Sequence, residues 1–237
     1  MITVGLPVWN GKEIAWLVME SLCRQKTTCQ WELIVFEEKH DQACGEEFFD
    51  SYKKRLKDAG CELVYMTAKE KKPLSYKWID IAKKANKESK MFCICGADNY
   101  YQKHMVQDAS DAYKEGHDWL TTRVGYFYNI HSGRFAKFSI RPQANTGLQM
   151  AVSTELLRNI PYVEKHKLLD NWMFNSCKPE RQKTLKKNFG SLGTAGFNNI
   201  SKKRGMRIDE QIPPFYKTDK KLSDIVPEEI EIRLRKI

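Results

Sequence analysis

The run Cys93-Ile94-Cys95-Gly96-Ala97-Asp98-Asn99-Tyr100-Tyr101 sets an acid where a protein can use one. Met91 to Cys95 is apolar and bounded by Lys90 and Gly96, the pattern of a short buried strand. It ends in Gly-Ala-Asp-Asn, so Asp98 stands just past the carboxyl end of that strand. In open α/β sheets that edge binds ligands. A carboxylate there either caps the next helix or holds a hard cation. Two more acids, Glu37 and Glu38, close the run Trp31 to Phe36, and Trp9 follows the run Ile2 to Pro7.

The elements that would carry these residues alternate. Ile2 to Pro7 predicts a strand, Lys12 to Gln25 an amphipathic helix, Trp31 to Phe36 a strand, and Glu46 to Ala59 a helix stopped by Gly60. Cys61 to Met66 predicts a third strand. A lysine-rich loop, Lys69 to Pro73, then leads into a helix from Ser75 to about Lys87. Such alternation argues for an α/β fold with a mostly parallel sheet flanked by helices. After Asp98 the pattern becomes mixed α+β. A helix is expected over Gln102 to Glu115 and a strand over Trp119 to Arg123. A hairpin is expected from Tyr126–Ile130 and Arg134–Ile140, and a strand over Leu148 to Val152. Helices over Thr154 to Asn159 and Glu164 to Ser176 complete this half. Lys178 to Arg207 holds nine Lys or Arg and one acid, Glu180, around a glycine-rich interior, and reads as a mobile basic loop before a charged tail. The expected division is 1–177, with halves 1–101 and 102–177, and then 178–237 packing on it.

The 237 residues suffice for a sizeable core. No stretch is long and apolar enough to cross a membrane as a helix. The N-terminus enters a strand directly, without the basic and apolar regions of a signal peptide, so a cytoplasmic protein is expected. Seven scattered cysteines suit that compartment, as buried free thiols rather than zinc ligands. The net charge of +10 draws polyanions: nucleic acid, anionic lipid or nucleotide phosphates.

The order of parts resembles the family 2 glycosyltransferases of the GT-A fold. It does so through Thr3-Val4-Gly5-Leu6-Pro7-Val8-Trp9-Asn10, then Trp31 to Glu38, then Gly96-Ala97-Asp98-Asn99. The resemblance implies a nucleotide-sugar-binding half, with Pro7 and Trp9 lining the base pocket. Glu37 and Glu38 stand where paired acids meet base and ribose, and a carboxylate accepts from a uracil or guanine N–H. The resemblance carries Lys77, with Lys72, toward the nucleotide, and sets Ala97 at the nucleotide where a first acid often stands. Asp98 matches the acid that binds Mn²⁺ or Mg²⁺, and the metal would neutralise the departing diphosphate. Asp170, on the second-half helix with Leu169 as its neighbour, matches the catalytic base of inverting members. Each acid also has a plainer reading, as a helix cap or a surface charge.

The implied donor is a nucleotide sugar, most often a UDP sugar. The implied acceptor is a saccharide, or a hydroxymethylated DNA base flipped from its duplex, as in phage DNA modification. Lys202, Lys203 and Arg204 are the expected acceptor or polyanion contacts, beside the aromatic run Tyr126 to Tyr128. A second reading keeps the fold without the reaction, as a non-catalytic protein binding nucleotide or nucleic acid; Ala97 and Leu169 favour it.

Overall fold

A computed structural model describes residues 1–122, 124–130, 133, 135–139, 150–161, 169–185, 192–195 and 218–237. Of residues 136, 138, 139, 169–172 and 195 it describes the backbone alone.

The first half alternates as its apolar runs dictate: β1 (Ile2–Val8), α1 (Ala15–Leu22), β2 (Trp31–Glu38), α2 (Glu46–Asp50), α3 (Lys53–Asp58), β3 (Cys61–Ala68), α4 (Leu74–Lys84) and β4 (Met91–Ile94). The helix expected over Glu46 to Ala59 is two helices, with Ser51 and Tyr52 between them. There follow β5 (Asn99–Tyr100), α5 (Met105–Lys114), β6 (Trp119–Thr122), β7 (Val124–Asn129), β8 (Phe135–Ser139), β9 (Met150–Ser153), α6 (Thr154–Arg158) and α7 (Leu169–Ser176). β7 and β8 pair antiparallel, as the hairpin reading expects. Within the stretch read as a basic loop stand two strands, β10 (Gln182–Leu185) and β11 (Leu192–Ala195). The last helix is α8 (Glu228–Leu234).

Seven strands form the main sheet, in the order β10-β6-β9-β4-β1-β2-β3. β1 pairs parallel with both β2 and β4, and β9 runs antiparallel between β4 and β6. From β1 the chain moves out to β3, then returns to β4 on the other side of β1. That reversal is a topological switch point, and the carboxyl ends of β1 and β4 flank it.

Alternation assigns the faces. Val4, Leu6, Leu33, Val35, Cys93 and Cys95 enter one core, while Ile34, Phe36, Phe92 and Ile94 enter the other. Gly5 is required by the second: a Cβ there would lie 2.0 Å from the Phe92 ring. A second sheet, β5-β11-β7-β8, packs through Tyr100, Tyr126, Tyr128 and Leu192 on Trp16 and Leu17 of α1 and on the tail residues Leu222, Val226, Ile230 and Leu234. Segments on both sides of residue 177 thus contribute to each sheet. No helix among the described residues is long and apolar enough to cross a membrane.

Candidate functional site

Three strand ends, those of β1, β2 and β4, meet at the switch-point edge. β1 stops at Val8, and Asn10 turns the chain with φ 53°, a left-handed conformation that asparagine tolerates. Trp9, between them, is half-buried, and Lys71 sets its ammonium 4.9 Å from the indole centroid. Trp9 shares a cleft of about 210 Å³ with Pro7, Glu38, Lys71, Lys72, Pro73, Leu74 and Lys77.

Glu38 is the charged centre of that cleft. Its Oε1 accepts from the Lys72 backbone N–H at 2.5 Å and lies 3.0 Å from Lys77 Nζ. Both side chains of the ion pair are buried. Burial pulls the Lys77 ammonium below its ordinary pKa, against the pull of Glu38. Lys72 turns its own ammonium to Asp80, at 2.7 Å. The loop Lys69 to Pro73 is thereby pinned at the base of α4.

Glu37 lies elsewhere, because successive residues of a strand face opposite sides of the sheet. Its oxygens accept from Cys44 N at 2.8 Å, Gly45 N at 2.9 Å and Tyr65 Oη at 2.9 Å. It fastens the loop after β2 and does not line the cleft. Burial and this carboxylate push the Cys44 thiol up to about 12.

Asp98 sits in the turn between β4 and β5. The turn is held from behind by Tyr101, which is fully buried. The Tyr101 hydroxyl accepts from Gly96 N at 2.7 Å and from Asn99 Nδ2 at 3.1 Å. The Asp98 carbonyl accepts from Thr194 N at 3.1 Å and Thr194 Oγ1 at 2.7 Å. The side chains fold back over the glycine: a Cβ at Gly96 would stand 3.1 Å from Asp98 Oδ1 and 3.0 Å from Asn99 Nδ2. Ala97 packs against the main core and brings no oxygen. No group of three or more His, Cys, Asp or Glu suited to a metal occurs among the described residues. A single half-exposed carboxylate fits a hard cation that takes most of its oxygens from diphosphate and water.

Asp170 is the second residue of α7, and its side chain lies outside the described residues. The far end of α7 is anchored. Phe174 packs edge-on to Trp119 at 5.7 Å, and Gln182 Nε2 donates to the carbonyls of Phe174 and Cys177. Lys202, Lys203 and Arg204 lie outside the described residues. Of the residues singled out from sequence, then, Pro7, Trp9, Glu38 and Lys77 share one cleft. Asp98 stands at the neighbouring strand end, and Glu37 faces away. Three residues not assigned from sequence complete the arrangement: Lys71, Tyr101 and Thr194. Lys71 and Tyr101 lie in stretches already singled out, but Thr194 reaches Asp98 across 96 residues and carries no local signal.

No protein-family model matches this chain, and no curated protein sequence matches it. Solved structures do. S. aureus TarS superposes with a TM-score of 0.61 at 16% identity, over 82% of this chain and 36% of that one. Its 1-349 portion gives 0.62 at 15%, over 81% and 60%. The mannosyltransferase PcManGT from Pyrobaculum calidifontis, solved with GDP-Man and Mn²⁺, gives 0.61 at 12%, over 86% and 59%. This chain therefore spans between about a third and three-fifths of the length of these three chains. The likeness shows a fold of the GT-A glycosyltransferase type, with its large, mostly parallel sheet flanked by helices.

Proposed function

We propose that this chain is a nucleotide-sugar-dependent glycosyltransferase, acting with a divalent cation and with inversion at the anomeric carbon. One observation carries the reading. An aromatic face, a buried carboxylate–lysine pair and a half-exposed carboxylate gather at the carboxyl ends of three strands flanking a switch point. The GT-A-type neighbours support it, PcManGT with GDP-Man and Mn²⁺ among them.

In this reading Trp9 stacks the base and Glu38 accepts one of its N–H groups, the uracil N–H of a UDP sugar being the first candidate. Lys77 holds Glu38 in place. Glu37 acts on the base only indirectly, by fixing the loop that follows β2. Asp98 holds Mn²⁺ or Mg²⁺, which when bound supplies charge neutralisation to the leaving nucleoside diphosphate. Asp170 takes the proton of the acceptor hydroxyl as its oxygen bonds to the anomeric carbon and the bond to diphosphate breaks. The acceptor is a saccharide hydroxyl or the hydroxymethyl group of a DNA base, and Lys202, Lys203 and Arg204 would attract the second. Seven free thiols suit a reducing compartment, the cytoplasm.

The test is calorimetric titration of wild type and Asp98→Ala with UDP, GDP and their sugars, with and without Mn²⁺. Mn²⁺-dependent binding of one nucleotide, lost in the variant, is the expected result. Binding that is indifferent to both metal and variant removes the metal from the proposal, and no binding at all overturns it. Hydrolysis of the bound nucleotide sugar, abolished in Asp170→Asn, separates an enzyme from a binding module. Acceptor arms with oligosaccharides and with hydroxymethylated duplex DNA divide the two acceptor classes.

A further inference from the structure

A second cleft, of about 640 Å³, opens between the carboxyl end of α1 and the tail segment Ser223–Pro227. It shares no residue with the cleft at Trp9. Its volume lies in the range of small-molecule sites, about 300–1,000 Å³.

Four cations line it: Arg24, Lys26, Arg55 and Lys103. Two are committed. Arg24 binds Glu20 and reaches Glu229 of α8 at 2.6 Å, and Arg55 grips both oxygens of Glu20 at 2.7 and 2.8 Å. Lys26 and Lys103 are exposed and make no ion pair among the described residues. Their backbones are joined, Lys26 N donating to Lys103 O at 2.6 Å, so both side chains leave from adjoining backbone at the cleft.

Tyr100 adds an independent observation. It lines the same cleft, is only 5% exposed, and its hydroxyl has no hydrogen-bond partner among the described residues. Burial pushes the phenol up to about 12, so it is protonated at neutral pH and available to donate. The Tyr100 oxygen is not sealed from solvent, so in the cleft it donates to water, which a ligand oxygen can replace. The donors Lys26, Lys103 and Tyr100 suit a phosphate. The cleft also carries two carboxylates. Asp224 is engaged with Lys221 N at 2.7 Å, and Asp58 lines the cleft as an exposed carboxylate, an acceptor for hydroxyl groups.

We propose that this cleft binds a phosphorylated, polyhydroxylated small molecule of the sugar-phosphate class, its phosphate on Lys26, Lys103 and Tyr100 and its hydroxyls toward Asp58. The site lies apart from the reaction edge and is independent of the proposed transfer. It is connected to that edge by two residues of backbone, from Tyr100 to Asp98.

Titration of the full chain with glucose 6-phosphate, inorganic phosphate and glucose tests this, with ligand-observed NMR as the readout. Glucose 6-phosphate is expected to bind most tightly, inorganic phosphate more weakly and glucose not measurably. Lys26→Ala/Lys103→Ala should weaken the sugar phosphate about tenfold or more, and Tyr100→Phe several-fold, since a hydrogen bond to a charged group accounts for about such a factor. Both lysines are exposed, so the double variant should keep the wild-type melting temperature. Equal binding in all variants would overturn the proposal. So would binding lost in Trp9→Ala and kept in the lysine variant, which would put the ligand in the first cleft.

Discussion

Lys77→Met probes the buried charge at the centre of the cleft beside Trp9. Lys77 and Glu38 are each 5% exposed and lie 3.0 Å apart. Removing one member of a buried pair strands the other, which in proteins generally costs about 3–5 kcal/mol. Here the loss has a ceiling. A stranded carboxylate can escape by taking a proton, and at pH 7 this costs about 3.7 kcal/mol, because glutamate ordinarily titrates near 4.3 and each pH unit is about 1.36 kcal/mol. The Lys72 N–H still donates to Glu38 at 2.5 Å, which retains part of the stabilisation and sets the expected loss at about 2–3 kcal/mol. For a chain of this size that is a fall of about 4–12 °C in melting temperature.

The sign of the pH dependence follows from the same proton. In the variant the native carboxyl keeps its proton at a pH where the unfolded chain has released it. The variant's stability relative to wild type therefore falls as pH rises from about 5 to 7 and recovers toward pH 5, to within about 1 kcal/mol. Glu38→Gln/Lys77→Met, with no charge to strand, should regain most of the loss. Thermal unfolding of the three proteins at pH 5, 6, 7 and 8 reads all of this. A deficit in Lys77→Met that does not change between pH 5 and 7, together with no recovery in the double variant, would refute the reasoning.

Trp9→Ala should weaken nucleotide binding by about 5- to 150-fold, the measure of a lost base–aromatic stack of roughly 1–3 kcal/mol, and should remove the indole quenching that accompanies titration. Tyr101→Phe deletes the acceptor of Gly96 N and Asn99 Nδ2. An expected loss of about 1–3 kcal/mol in urea unfolding should come with weakened Mn²⁺-dependent binding, since the turn carrying Asp98 is released. Glu20, hydrogen-bonded by Arg55 and Arg24, titrates at about 2 instead of 4.5. Its contribution is present above about pH 4.5 and fades as pH falls toward 2, so circular dichroism of Glu20→Gln should show a flatter acid limb.

The strands were legible because they are short apolar runs, and pairing in the sheet carries β1 to Val8, β2 to Glu38 and β3 to Ala68, one or two residues past those runs. The gathering of Pro7, Trp9, Glu38 and Lys77 in one cleft was an expectation carried by the resemblance to the GT-A glycosyltransferases. Glu37 shows where sequence reading stopped short: it stands one residue from Glu38, and the two-residue period of a strand sends them to opposite faces. The helix break at Ser51 and Tyr52 had no glycine or proline to announce it. β10 and β11 are four residues each, set among lysines and glycines, and owe their existence to partners distant in sequence, β6 for one and β5 and β7 for the other. The tail was legible as a charged segment. Its packing on Trp16, where Arg233 lies 3.8 Å over the indole, was not, because cation–π contacts across the chain leave no periodicity.

The hold of Thr194 on the Asp98 carbonyl has a consequence for synthesis. A ribosome completes β1 through β4 early, and those strands carry the aromatic face and the ion pair. The bond that fixes the acidic turn waits for a strand made 96 residues later. A nascent chain therefore completes the cleft at Trp9 well before the turn of Asp98 is fixed, and a product ending near residue 177 would lack the bond from Thr194. Assembly order itself separates the closing of the cleft from the fixing of the acidic turn.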